Sequence, residues 1–230
     1  MRPPSSFANS LLETIDIETS PDPELAVIWL HGLGADGHDF EPIVPALGLR
    51  MPVRFVFPHA PVRQVTINGG MPMRAWYDVF GWGRNVPEDS AGIRASAAAV
   101  TRLIDREVDR AIPSERIVLA GFSQGGAIAL HTALREPRRL AGVLALSTYL
   151  PLAGSLAAER TQANAAVPIF MAHGTDDALL PLALAETSRR ALEAQGYAVD
   201  WHVYPMAHTV SMEEVAAIGA WLATLAKSLA

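Results

Sequence analysis

The segment Ile117 to Glu136 limits what this chain can fold into more than any other. An apolar run, Ile117 to Ala120, meets Gly121-Phe122-Ser123-Gln124-Gly125, and an alanine-rich, helix-forming stretch follows at once. A strand that becomes a helix within so few residues leaves no room for side chains two positions before and two after the bend. Gly121 and Gly125 stand at those two places. Ser123 therefore sits at the bend, with its hydroxyl lifted clear of a sheet edge. The backbone N–H of Gln124 falls at a helix start, where developing negative charge is stabilised.

The rest of the chain alternates in the same way. After an arm over residues 1–10, Leu11 to Glu18 reads as an edge strand, because Ile15 and Ile17 alternate with polar neighbours. Leu25 to Leu30 and Val53 to Phe57 are continuous apolar runs, as expected of strands covered on both faces. A helical segment is expected between them, from about Asp39 to Leu47. Asp89 to Ile112 carries Ile93, Ala97, Val100, Ile104 and Val108 at helical spacing. Leu140 to Leu146, Val167 to Ala172 and Val199 to Tyr204 are further strands. Pro181 opens and Gly196 closes the helix between the last two. Ser211 and Glu214 form a capping-box pair before a final helix whose Val215, Ile218, Leu222, Leu225 and Leu229 share one face. Two stretches, 59–87 and 148–166, keep no period. The first holds Gly69-Gly70, Gly81, Gly83, Trp76, Tyr77, Phe80 and Trp82, and both are expected to border a groove. Half of the 230 residues are apolar, enough to bury one core, so the expectation is a single three-layer α/β domain over 1–230 with a mostly parallel sheet.

In such sheets the chemistry gathers at the carboxyl ends of the strands. A serine hydroxyl needs a base within hydrogen-bond reach, and the base needs an orienting partner. Of the seven histidines, His208 follows the last strand and precedes the closing helix, which makes it the candidate base. Asp177 occupies the acid slot between serine and histidine in chain order, four residues beyond His173, with adjacent Asp176 as its rival. His31 and His173 precede glycines at strand ends and read as turn-shaping residues. His202 reads as a strand side chain, and His38, His59 and His131 have no supporting context.

Gly32 to Gly37 fits G-x-G-x-x-G, so a nicotinamide dinucleotide site is one reading of that loop. The acidic residue it wants about 20 residues later is absent, although Arg54 could meet a 2′-phosphate. The better reading gives Leu33 the second backbone donor of an oxyanion hole, beside Gln124. A non-catalytic binding module on the same fold is the third reading. The net charge of −6 and the lack of a basic run argue against nucleic acid. The absence of cysteine removes disulfides, zinc–thiolate sites and a thiol nucleophile, and suits a reducing compartment. No H-E-x-x-H occurs, so no metal or cofactor is expected. No apolar signal core follows Met1 to Ser6, and Val215 to Ala226 is too short to cross a bilayer. A cytoplasmic protein with no stable membrane insertion is the expectation.

The motifs Trp29-Leu30-His31-Gly32-Leu33-Gly34, Arg74-Ala75-Trp76-Tyr77-Asp78, Gly121-Phe122-Ser123-Gln124-Gly125-Gly126, Leu146-Ser147-Thr148-Tyr149, His173-Gly174-Thr175-Asp176-Asp177 and Tyr204-Pro205-Met206-Ala207-His208 span nearly the whole chain. Together they resemble the carboxylesterase and acyl-protein thioesterase (phospholipase/carboxylesterase) family of α/β-hydrolases. The chain departs from that pattern at Ala207, often glycine, and at Ala178-Leu179-Leu180, often richer in valine. The resemblance implies a serine hydrolase of carboxylic esters, with thioesters or lysophospholipids as further substrates and no cofactor. Ser123, Asp177 and His208 would form the triad, and Leu33 and Gln124 would be the oxyanion donors. The acyl groove would be roofed by the loop around Trp76, and Trp76, Tyr77 and Leu179 are expected along it. Its expected partners are small-molecule or lipid acyl esters or an acylated protein, and a homodimer is expected because the family's members are often dimers.

Overall fold

The computed structural model describes residues 11–81 and 86–228. The N-terminal arm 1–10, Trp82, Gly83 and Leu229 lie outside the described residues. Among the described residues nine strands form: β1 (Thr14–Glu18), β2 (Leu25–Leu30), β3 (Val53–Pro58), β4 (Val62–Val65), β5 (Met71–Arg74), β6 (Ile117–Phe122), β7 (Gly142–Leu146), β8 (Ile169–Gly174) and β9 (Val199–Tyr204). The helices are α1 (Ser90–Asp109), α2 (Gln124–Ala133), α3 (Leu156–Glu159), α4 (Leu182–Ala194) and α5 (Met212–Ser228).

Seven strands make one sheet in the order β1-β3-β2-β6-β7-β8-β9. Within that sheet only the β1–β3 pairing is antiparallel. The register shows why the central strands are apolar on every residue. Ile28, Leu119, Val143 and Ile169 sit side by side across β2, β6, β7 and β8. They face one core shared with Ile93, Val100 and Leu103 of α1, Ile128 of α2 and Leu192 of α4. Their neighbours Val27, Val118, Leu144 and Phe170 point the other way, into a second core closed by Val215, Ile218 and Leu222 of α5. Alternation of side chains across a pleat thus supplies two cores from one set of strands.

Three details differ from the sequence expectation. The segment expected as a helix from Asp39 to Leu47 is a 3-10 helix over Glu41–Leu47. Pro45, inside the segment, lacks the amide that would bond back to Glu41 in an α-helical ladder, whereas Pro42 stands in the first turn, where a proline is tolerated. The stretch 59–87 is not structureless. β4 and β5 pair as an antiparallel hairpin, turned by Gly69 and Gly70 at φ 67° and 78°. Its strands are four residues long, only partly buried, and interrupted by Pro72, which hid them from a periodicity reading.

At the start of α5, Ser211 Oγ accepts the Glu214 amide at 3.1 Å, but the reciprocal half of the capping box does not form. The Glu214 carboxyl is instead fully buried, and neither oxygen has a hydrogen-bond partner among the described residues. Burial pushes its pKa up to about 8.

Candidate active site

β6 is the fourth of seven strands, and the chain leaves it through Ser123 directly into α2. Ser123 adopts φ 53° and ψ −121°, a strained conformation for a residue with a side chain. A Cβ on Gly121 would overlap the backbone of Gly125. A Cβ on Gly125 would overlap the carbonyls of Leu30 and His31, so the second glycine is demanded by neighbouring β2 rather than by the turn itself. Two hydrogen bonds hold the bend: Ser123 N–H donates to Leu146 O at 2.8 Å, and Thr148 Oγ1 donates to Ser123 O at 2.6 Å.

The loops after β8 and β9 bring Asp177 and His208 together. His208 Nδ1 lies 2.6 Å from Asp177 Oδ2. The other carboxylate oxygen accepts the Leu179 and Leu180 amides at 2.9 and 2.8 Å. Asp176 is exposed and its side chain enters no such contact, which separates the two rivals. The Phe122 ring, 4.7 Å from the His208 ring between centroids, packs the imidazole beside the serine turn. Gly174 admits this approach, since a Cβ there would overlap the Met206 carbonyl. Ser123 and His208 border one cavity of about 370 Å³. Among the described residues no hydrogen bond joins them, and such links commonly tighten only around a substrate.

Leu33 and Gln124 border the same cavity. Gln124 opens α2, where an amide has no acceptor within the helix. Among the described residues neither amide donates to another protein group.

The Gln124 side chain has a role that the sequence reading missed. Its Oε1 accepts the Trp76 amide at 2.7 Å and its Nε2 donates to Tyr77 O at 2.7 Å, both buried. That clamp ties the 59–87 stretch to the serine turn. Trp76 is not a groove residue. It is fully buried in the core, and its Nε1 donates to His31 O at 2.9 Å, bracing the loop that carries Leu33. Tyr77 and Leu179 do border the cavity, together with Tyr149, Met73, Ile67 and Leu180. Tyr149 was legible in Leu146 to Tyr149 only as a motif position, and Met73 and Ile67 belong to the hairpin that periodicity concealed.

His31 and His173 hold turns. His31 Nε2 accepts the Ala60 amide at 3.0 Å while Nδ1 lies 2.7 Å from Gly32 O, and burial lowers its pKa to about 4, so it stays neutral. His173 Nε2 lies 2.7 Å from Leu180 O. The buried Arg54 pairs with the buried Glu107 and with the more exposed Glu18 and Asp16 at 2.8, 2.7 and 2.6 Å, in a network that ties β1 and β3 to α1. Three carboxylates already balance the buried Arg54 guanidinium, which leaves it poorly placed for a 2′-phosphate, and Gly37 N–H is held by His59 Nδ1 at 3.1 Å, so both supports of a dinucleotide site are weakened. Among the described residues, no group of three or more histidine or acidic side chains is placed to hold a metal ion. No described helix is long and apolar enough to cross a membrane.

A serine at the turn after the middle strand of a seven-stranded, mostly parallel sheet, with an aspartate and a histidine brought together from the ends of β8 and β9, is the arrangement of an α/β-hydrolase-fold enzyme. The chain belongs to the phospholipase/carboxylesterase family, whose pattern matches residues 13–226. It is 41% identical over 203 residues to acyl-protein thioesterase 1 of Neurospora crassa, covering 84% of this chain and 83% of that protein. Acyl-protein thioesterase 1 of Mycosarcoma maydis is 37% identical over 232 residues, covering 93% and 97%. The crystal structure of Zea mays acyl-protein thioesterase 2 superposes with a TM-score of 0.83 at 28% identity, over 93% of this chain and 99% of that one.

Proposed function

We propose that this hydrolase cleaves carboxylic esters of short to medium acyl chains, and acyl thioesters of the kind its relatives are named for, through an acyl-enzyme on Ser123. The observation that carries this reading is the 2.6 Å link from Asp177 to His208 at the cavity that Ser123 borders.

Ser123 Oγ attacks the acyl carbon while His208 Nε2 takes the hydroxyl proton. The resulting oxyanion is held by the amides of Leu33 and Gln124, each worth about 3 kcal/mol of transition-state stabilisation. The bond to the leaving alcohol or thiol breaks as His208 returns the proton to it. Water then attacks the acyl-enzyme, giving its proton to His208 and releasing the acid, and Ser123 regains its hydrogen. Asp177 fixes the imidazole tautomer with Nδ1 protonated and stabilises its charged form. The largely apolar cavity takes the acyl chain.

A fluorophosphonate probe should label Ser123 in the wild type and nothing in Ser123→Ala. Hydrolysis of p-nitrophenyl butyrate and of a matched butyryl thioester, without added cofactor, then measures the ester against the thioester reaction. No labelling and no turnover would return the chain to a non-catalytic binding module.

A further inference from the structure

Tyr77 and Tyr149 both border the catalytic cavity, and their hydroxyl oxygens lie 2.8 Å apart. Two phenols hold two protons, and a single hydrogen bond between them uses one. Among the described residues no acceptor is placed for the other. Either phenol can donate to the other, so the spare O–H belongs to whichever accepts; Tyr77 is 3% exposed and Tyr149 is partly buried, and both stand beside the apolar Leu33, Ile67, Met73, Val79 and Leu180 of the cavity lining. A buried donor left without a partner is unfavourable, and a ligand atom that accepts from it gains selectivity over one that cannot.

Resting on the esterase reading above, we propose that the Tyr77–Tyr149 pair donates a hydrogen bond to the acyl tail, so that the site favours acyl chains carrying a neutral oxygen (ether, hydroxyl or ketone) over plain alkyl chains of equal length. The pair is held in place for this. The Tyr77 carbonyl is clamped by Gln124 Nε2 at 2.7 Å, which fixes the phenol relative to Ser123. Burial pushes Tyr149 up to about 12 and Tyr77 well above the ordinary phenol value, so both remain protonated donors through the working range. The negative charge of Glu88 acts on both phenols, and its oxygens are already committed to the Leu152 amide at 3.0 and 3.1 Å. An anionic tail would be repelled there.

The test is a set of p-nitrophenyl esters of equal chain length: alkyl, methoxy-substituted with the oxygen at successive positions, and ω-carboxylate. In the wild type, kcat/KM for the best oxygenated ester should exceed the alkyl ester by about five- to tenfold, as expected for one hydrogen bond. The ω-carboxylate ester should be the poorest. Tyr77→Phe/Tyr149→Phe, which keeps both rings, should bring the oxygenated-to-alkyl ratio to about one. A wild-type ratio of one at every oxygen position would overturn the proposal without any variant being needed. So would a ratio that survives in the double variant, or a preferred ω-carboxylate. Alkyl turnover without discrimination would sink this inference alone, whereas no turnover of any ester would sink the hydrolase reading beneath it.

Discussion

Asp177 divides its two carboxylate oxygens between His208 and its own turn. Oδ2 meets His208 Nδ1 at 2.6 Å, and Oδ1 accepts the amides of Leu179 and Leu180 at 2.9 and 2.8 Å. The side chain is wholly buried, so its charge is balanced by these donors rather than by water. Asp177 therefore fixes the His208 imidazole and, with the same group, shapes the loop that lines the cavity with Leu179 and Leu180.

Asp177→Asn should lower kcat for p-nitrophenyl butyrate on the order of 10⁴-fold, because an amide no longer selects the tautomer that leaves Nε2 free. Asp176→Asn, at an exposed position, should change it by less than about threefold. The reverse order in steady-state kinetics would reassign the acid.

Gln124→Leu keeps the backbone amide at the cavity but removes both arms of the side-chain clamp. The buried Trp76 N–H and Tyr77 carbonyl would each lose a partner, at about 1–3 kcal/mol apiece. Urea denaturation should show a loss of at least about 2 kcal/mol, with a raised KM for esters. An unchanged midpoint would show that the clamp holds nothing.

Trp76→Phe retains the buried ring and deletes the N–H that meets the His31 carbonyl at 2.9 Å. The expected cost is about 1 kcal/mol in stability, with a fall in kcat because the neighbouring Leu33 loop loses its brace. A fall confined to stability would separate the core role of Trp76 from any influence on the oxyanion loop.

Glu214 gives the fold a pH dependence of definite sign. Its carboxyl titrates near 4.5 when unfolded and at about 8 in the folded chain, so between those values the folded state binds the extra proton. Stability from this group is complete below about 4.5 and falls as pH rises through about 8, by an amount on the order of a few kcal/mol. Glu214→Gln should remove that decline, so thermal melts of variant and wild type should diverge progressively from pH 5 to pH 9, with the variant higher at the alkaline end. Parallel curves would refute it.

Much of the architecture was legible because burial on both faces of a sheet leaves continuous apolar runs. Leu25 to Leu30 and the run beginning at Ile117 became strands for that reason. The β4–β5 hairpin was not legible, because four-residue, only partly buried strands leave no such trace. The helical segment expected after Asp39 did form over Glu41–Leu47, but as a 3-10 helix with Pro45 inside it. At the site, chain order singled out Ser123, Asp177 and His208, but aromatic character alone placed Trp76 in a groove when its indole is sealed in the core.

By itself, the order of residues determined the glycine-flanked bend at Ser123, the alternation of strand and helix, and which strand ends carry an acid and an imidazole. These are local properties, set by backbone sterics and by the period of apolar side chains. Only the tertiary structure decided that Asp177 rather than Asp176 meets His208, that Gln124 clamps the chain at Trp76 and Tyr77, and that Tyr77 finds Tyr149. Those contacts join residues far apart in the chain, and their geometry depends on how the layers pack, which no local pattern encodes.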